Sequence, residues 1–214
     1  MNKNLTEIVI VLDKSGSMGH LAGDVIGGIN TFIAEQKALP GDCNATLVLF
    51  NHGYDIAYSG NLSEFPTIDA SIYRASGNTA MLDAIGIAID TTGTRLASMN
   101  EADRPNKVIF CILTDGEENS SKEFTGSQIK AKIELQTNTY AWEFMFLGAN
   151  IDSSLASTSI GINAASNSSS FAANARGIAN AFTSYSLASA DLRSKGTYTG
   201  SLGEYMCWAD AKNS

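Results

Sequence analysis

The hydrophobic pattern alternates between two periods along the chain. Residues 7 to 13, "EIVIVLD", are a continuous apolar run with β-branched residues, the pattern of a strand covered on both faces in a parallel sheet. From Leu21 the apolar positions Ala22, Val25, Ile26, Ile29, Phe32 and Ile33 fall three and four apart, so a helix follows, stopped by Pro40 and Gly41. "CNATLVLFN" reads as a second strand, and "NHGY" at 51 to 54 turns it into the polar edge strand "YDIAYSG", an antiparallel hairpin at one side of the sheet. After a polar connection, Met81, Leu82, Ile85, Ala88 and Ile89 repeat with helical period, with Thr79 at the start. "NKVIFCILTDG" at 106 to 116 is the clearest central strand, and it ends in an aspartate as the first strand does.

A helix around 124 to 139, a strand at 142 to 149, a short helix near 152 to 158 and a brief apolar piece at 160 to 162 continue the alternation. "NAASNSSS" at 163 to 170 reads as a polar loop, because the following helix, with Phe171, Ala175, Ile178, Phe182 and Tyr185 on one face, needs a core to pack on. The pattern assigns nothing to the Gly- and Thr-rich tail from 196 onward. Alternating strands and helices predict an α/β fold: a doubly wound, mostly parallel sheet with one antiparallel edge strand and helices on both faces. With 214 residues, 44% apolar, one domain around one core is expected over 1 to 214.

Charge narrows the partners. The formal net charge is minus eight and the 14 Lys and Arg residues are scattered, which disfavours nucleic acid and anionic membranes. The N-terminus offers five consecutive apolar residues before an Asp, too few for a signal-peptide core or a membrane span, so a cytoplasmic location is expected. Cys43, Cys111 and Cys207 read as buried free thiols.

In doubly wound sheets, sites form outside the carboxyl ends of the strands. Three loops are expected to meet there, carrying Asp13, Ser15 and Ser17, then Thr79, then Asp115. Just past a strand the chain is extended, so Asp13, Ser15 and Ser17 can project to one side. Taken singly, the two aspartates read as strand-end caps and the three hydroxyls as helix N-caps; taken together they make an oxygen-rich surface. Helix N-termini repel a cation, so a metal here requires the two carboxylates. Oxygen-only donors select hard cations, and a compact set suits Mg²⁺ or Mn²⁺ better than Ca²⁺. Asp83 reads as a carboxylate favouring the dipole of its helix, His20 as a polar residue of a first turn, and Glu117 and Glu118 as a solvated rim.

The arrangement Asp13-Lys14-Ser15-Gly16-Ser17, then Thr79, then Asp115 in "LTDG" closely resembles the metal-ion-dependent adhesion site of von Willebrand factor type A domains. All five motif positions are filled; the usual "GGT" is here Gly77-Asn78-Thr79. The resemblance implies that Ser15, Ser17 and Thr79 bind the metal through their hydroxyls. Asp13 and Asp115 would act directly or through water, and an acidic side chain of a protein partner would complete the coordination. The stretch "DKSGSM" and the expected lack of a secretion signal look more like intracellular bacterial or phage-encoded members than animal adhesion receptors, and members of this family often work beside ATPases, in tellurium-resistance-type systems or in assemblies. The expected function is metal-dependent protein binding without catalysis. A Mg²⁺-dependent phosphatase or hydrolase with Asp13 as nucleophile is the alternative, but Ser15 stands where a second aspartate would be needed, and Lys14 and His20 are the only acid or base groups nearby. A structural or virion-associated subunit is the third reading. Serine hydrolase, dinucleotide and P-loop motifs are absent.

Overall fold

The computed structural model describes residues 1–213. Its strands are β1 (Asn2–Asp13), β2 (Asp42–Phe50), β3 (Tyr54–Asn61), β4 (Pro105–Thr114), β5 (Glu143–Gly148) and β6 (Ser168–Ser170). The helices are α1 (Ala22–Lys37), α2 (Met81–Ser98), α3 (Gly126–Tyr140), α4 (Ser153–Ser159), α5 (Ala164–Asn167), α6 (Ala175–Lys195) and α7 (Leu202–Lys212). One six-stranded sheet runs β3-β2-β1-β4-β5-β6, and only the β2–β3 pairing is antiparallel. This is the architecture that the alternating pattern predicts.

The inner strands carry long apolar runs because both faces of the sheet are covered. Ile8, Ile10 and Leu12 of β1, with Ile109, Cys111 and Leu113 of β4, pack under α1, α6 and α7. Val9 and Val11, with Phe110 and Ile112, pack under α2 and α3. The expectation of one core is corrected to two apolar layers divided by the sheet. Each buried Ile or Leu contributes about 2 kcal/mol relative to exposure, so the ends of β1 and β4 are firmly anchored.

Other expectations also need correction. Residues 163 to 170 are not a plain loop: Asn163 caps α5, and β6 pairs with Phe146, Leu147 and Gly148. Three serines carry no hydrophobic signal, and this strand is held through its backbone and by Ser168 Oγ donating to the Ser153 carbonyl at 3.0 Å. The tail folds as α7, opened by a reciprocal Ser201–Glu204 capping box and burying Leu202, Tyr205 and Ala209. Cys43 and Cys111 are buried as expected, but Cys207 is exposed on the outer face of α7. Among the described residues no helix is long and apolar enough to cross a membrane.

Candidate metal centre

β1 and β4 are neighbours, yet α1 leaves toward one face of the sheet and α3 toward the other. The crevice where the connections diverge is the switch point of a doubly wound sheet. Asp13 closes β1, and Asp115 directly follows β4, so both carboxylates stand at that crevice.

Asp13 is completely buried. Its Oδ1 accepts the Ser15 N–H at 2.6 Å and its Oδ2 accepts the Thr114 hydroxyl at 2.6 Å. The Tyr73 hydroxyl donates to the Asp13 carbonyl at 2.6 Å, fixing the strand end from the other side. Burial pushes the Asp13 carboxyl up to about 6, against the hydrogen bonds from Thr114 and Ser15 that lower it, and the charge of Asp115 adds to the rise.

The hydroxyls extend this group outward. Ser15 Oγ lies 3.1 Å from Ser17 Oγ, and Ser17 Oγ donates to Asp115 Oδ1 at 2.6 Å. Asp115 is itself buried, and its Oδ2 has no hydrogen-bond partner. Thr79 closes the ring: a methyl group placed on Gly116 would lie 3.5 Å from Thr79 Oγ1 and 3.9 Å from Ser17 Oγ. The structure thus brings Asp13, Ser15, Ser17, Thr79 and Asp115 to one place. Two carboxylates and three hydroxyls, one buried carboxylate oxygen among them unpaired, fit a hard divalent cation. Among the described residues no cluster of three or more His, Cys, Asp and Glu competes with this mixed set.

The loop geometry follows from a few local contacts. Gly77 adopts φ +79°, a left-handed conformation that favours glycine, and its carbonyl accepts the Gly16 N–H at 2.9 Å. The Ala80 N–H donates to the Asn51 carbonyl at 2.6 Å. Thr79 therefore sits two residues before the first residue of α2, and Ala80 holds the N-cap position without a side-chain cap bond.

Sequence reasoning missed several supporting residues and misassigned others. Thr114 and Tyr73 hold Asp13; Thr114 was detectable as a hydroxyl beside a strand-end aspartate, Tyr73 was not. Asp83 does more than favour a helix dipole: its carboxylate accepts the N–H groups of Lys122, Glu123 and Phe124. Glu118 is not a solvated rim residue, because it accepts the N–H groups of Leu82, Ser120 and Ser121. Glu117 is exposed, as expected. Lys14 Nζ is paired with Asp55 at 2.6 Å, and His20 Nδ1 lies 2.8 Å from the Ser17 carbonyl.

The sequence matches no protein-family model and no curated protein. Solved structures do resemble it. The chain superposes on a von Willebrand factor type A protein from Catenulispora acidiphila with TM-score 0.58 and 16% identity, covering 86% of this chain and 42% of that one. The fold is that of von Willebrand factor type A domains. The PilB minor pilin from Streptococcus sanguinis shares the type A fold with TM-score 0.58 and 13% identity, over 87% of this chain and 60% of the pilin. The pilus adhesin SpaC from Lactobacillus rhamnosus GG does so with TM-score 0.58 and 17% identity, over 88% of this chain and 30% of the adhesin. The chain spans less than two thirds of the length of each of these proteins.

Proposed function

We propose that this chain is a non-catalytic, divalent-cation-dependent protein-binding module. In this reading Ser15, Ser17 and Thr79 offer hydroxyls to Mg²⁺ or Mn²⁺, Asp13 and Asp115 offset its charge, and an Asp or Glu of a protein partner completes the shell. The buried Asp115 Oδ2 without a partner, beside Ser17 and at the mouth of the crevice, carries the reading. A buried ionised oxygen left unpaired is costly, and a bound cation removes the cost. A cation surrounded mainly by neutral oxygens keeps enough positive charge to attract a carboxylate from outside.

The absence of catalysis is supported by how the two candidate acid or base groups are used. Lys14 is held by Asp55, and His20 turns one ring nitrogen to the Ser17 carbonyl. Titration calorimetry of the chain with Mg²⁺, followed by partner capture with and without chelator, tests the module. Binding of Mg²⁺ lost in Asp13→Ala, and capture lost in EDTA, are expected; capture undiminished by EDTA overturns it.

The likeness to a minor pilin and a pilus adhesin favours one second reading, a subunit of a larger assembly that uses the fold as a structural part. It predicts association that ignores both chelation and Thr79→Ala.

A further inference from the structure

The loop after Asp115 and the start of α2 are tied to each other by hydrogen bonds running in both directions. The Thr79 N–H donates to Asn119 Oδ1 at 2.9 Å, and the Asn119 N–H donates back to the Thr79 carbonyl at 3.0 Å. Further along, the Leu82 N–H donates to Glu118 Oε2 at 2.8 Å and the Asp83 N–H to Ser121 Oγ at 3.1 Å. In return, Asp83 accepts the N–H groups of Lys122, Glu123 and Phe124 at 2.7, 2.9 and 2.9 Å.

The physical reason lies in α2. The first N–H groups of a helix have no acceptor within it, and Ala80 at the N-cap position makes no side-chain cap bond. Glu118 and Ser121 supply those acceptors from the loop that carries Asp115. Asp83, nearly buried at 6% exposure, gathers three successive amides and gives that loop one conformation. Asn119 then fixes Thr79 itself from both sides of its peptide. Each of these bonds has a backbone N–H or carbonyl of the Thr79 or Asp115 segment at one end, so the side chains of Asn119, Glu118, Ser121 and Asp83 position the donor set without joining it.

We infer that this clasp, centred on Asn119 and braced by Asp83 and Glu118, sets which size of cation the centre prefers. The inference rests on the metal-binding reading above. Mg²⁺ demands near-octahedral donors at about 2.0–2.1 Å, whereas Ca²⁺ accepts flexible shells at about 2.3–2.6 Å. Donors on two loops locked at one separation discriminate between these ions; donors on loops free to part do not. Outer residues that orient metal donors typically change affinity by about 10–100-fold when removed.

The test titrates the full chain with MgCl₂ and with CaCl₂ by calorimetry, for wild type, Asn119→Ala, Asn119→Asp and Asp83→Asn. In Asn119→Ala the Mg²⁺ affinity is expected to fall about tenfold and the Ca²⁺ affinity by less than about twofold, because the flexible Ca²⁺ shell tolerates the loosening. Asn119→Asp retains the acceptor for the Thr79 N–H and keeps the wild-type ratio; Asp83→Asn lowers it. Amide hydrogen exchange on the metal-free protein reads the clasp separately: Thr79 is expected to exchange about tenfold faster in Asn119→Ala. Wild type that binds cations while the Asn119→Ala ratio stays unchanged overturns the selectivity role alone. Unchanged Thr79 exchange overturns the clasp. Wild type that binds neither ion overturns the metal reading itself, and the two failures are thereby told apart.

Discussion

Ser17 Oγ donates to Asp115 Oδ1 at 2.6 Å, joining two loops 98 residues apart, while the other oxygen of the same carboxylate is buried with no hydrogen-bond partner. One hydroxyl thus satisfies half of a buried charge. Without a cation the unsatisfied half opposes folding, because in the unfolded chain water solvates both oxygens.

Asp115→Asn removes that charge but keeps an oxygen for Ser17. In EDTA the variant is expected to be more stable than wild type by about 1–2 kcal/mol, or about 2–8 °C in melting temperature for a domain of this size. In millimolar Mg²⁺ the order reverses, since a ligand that binds only the folded state stabilises it by mass action. Scanning calorimetry in the two buffers checks both parts. A variant that melts below wild type in EDTA, or that still gains stability from Mg²⁺, contradicts the account.

Gly77 shapes the loop that delivers Thr79, for two separable reasons. Its φ of +79° disfavours any residue with a Cβ, and a Cβ there would lie 2.4 Å from His52 Nδ1. Gly77→Ala is expected to cost about 2–3 kcal/mol. Adding His52→Ala should recover the steric part only, leaving about 1–2 kcal/mol of backbone strain. Urea denaturation of the single and double variants separates the two; full recovery in the double variant would show that the backbone conformation is not strained.

Glu7 is a fully buried carboxylate in β1, and its Oε1 pairs with Arg95 of α2 at 2.6 Å. Its Oε2 has no hydrogen-bond partner, so the pair is incompletely satisfied. Arg95→Ala leaves the charge unmatched and is expected to destabilise by about 3–5 kcal/mol. Replacing both residues by apolar ones, Glu7→Leu with Arg95→Met, is expected to be near neutral or stabilising. Chemical denaturation of the single and double variants decides; a double variant as unstable as the single one would mean that the pair contributes net stability.

The course of the sheet is legible in the chain because its inner strands are covered on both faces. "EIVIVLD" and "NKVIFCILTDG" each announce a central strand and, in their last residues, the carboxylate at its end. Ser15, Ser17 and Thr79 are legible for a related reason: they stand at fixed offsets from strand ends or helix starts. What stays hidden is whatever hydropathy does not encode. The serines of β6 are held by backbone pairing and by hydroxyl bonds to Ser153, and the Asn119–Thr79 exchange links residues 40 apart, all by hydrogen bonds that leave no periodic trace. Asp83 was visible as an acid in a first turn, but its engagement of amides 39 to 41 residues away depends on a loop whose path only tertiary structure fixes.

Asp191 ties the tail to α6, and its charge should make that tie depend on pH. Its carboxylate pairs with Lys195 at 2.7 Å, accepts the Tyr205 hydroxyl at 2.6 Å and accepts the Thr199 hydroxyl. Burial alone would raise its pKa, but the bonds from Lys195, Thr199 and Tyr205 outweigh it and hold the group at about 2, below its ordinary 3.8. The folded state therefore keeps the carboxylate charged where the unfolded chain has already taken up a proton. Such a group contributes its full stability above the ordinary value and loses it progressively as pH falls toward about 2. Asp191→Asn is expected to cost about 1–2 kcal/mol near neutrality, with partial exposure and salt screening reducing the ionic part. The gap between variant and wild type should narrow steadily below the ordinary carboxylate value. Denaturation midpoints of both proteins across the acid range measure it, and a gap that stays constant throughout would assign the stabilisation to packing of Tyr205 rather than to the charge.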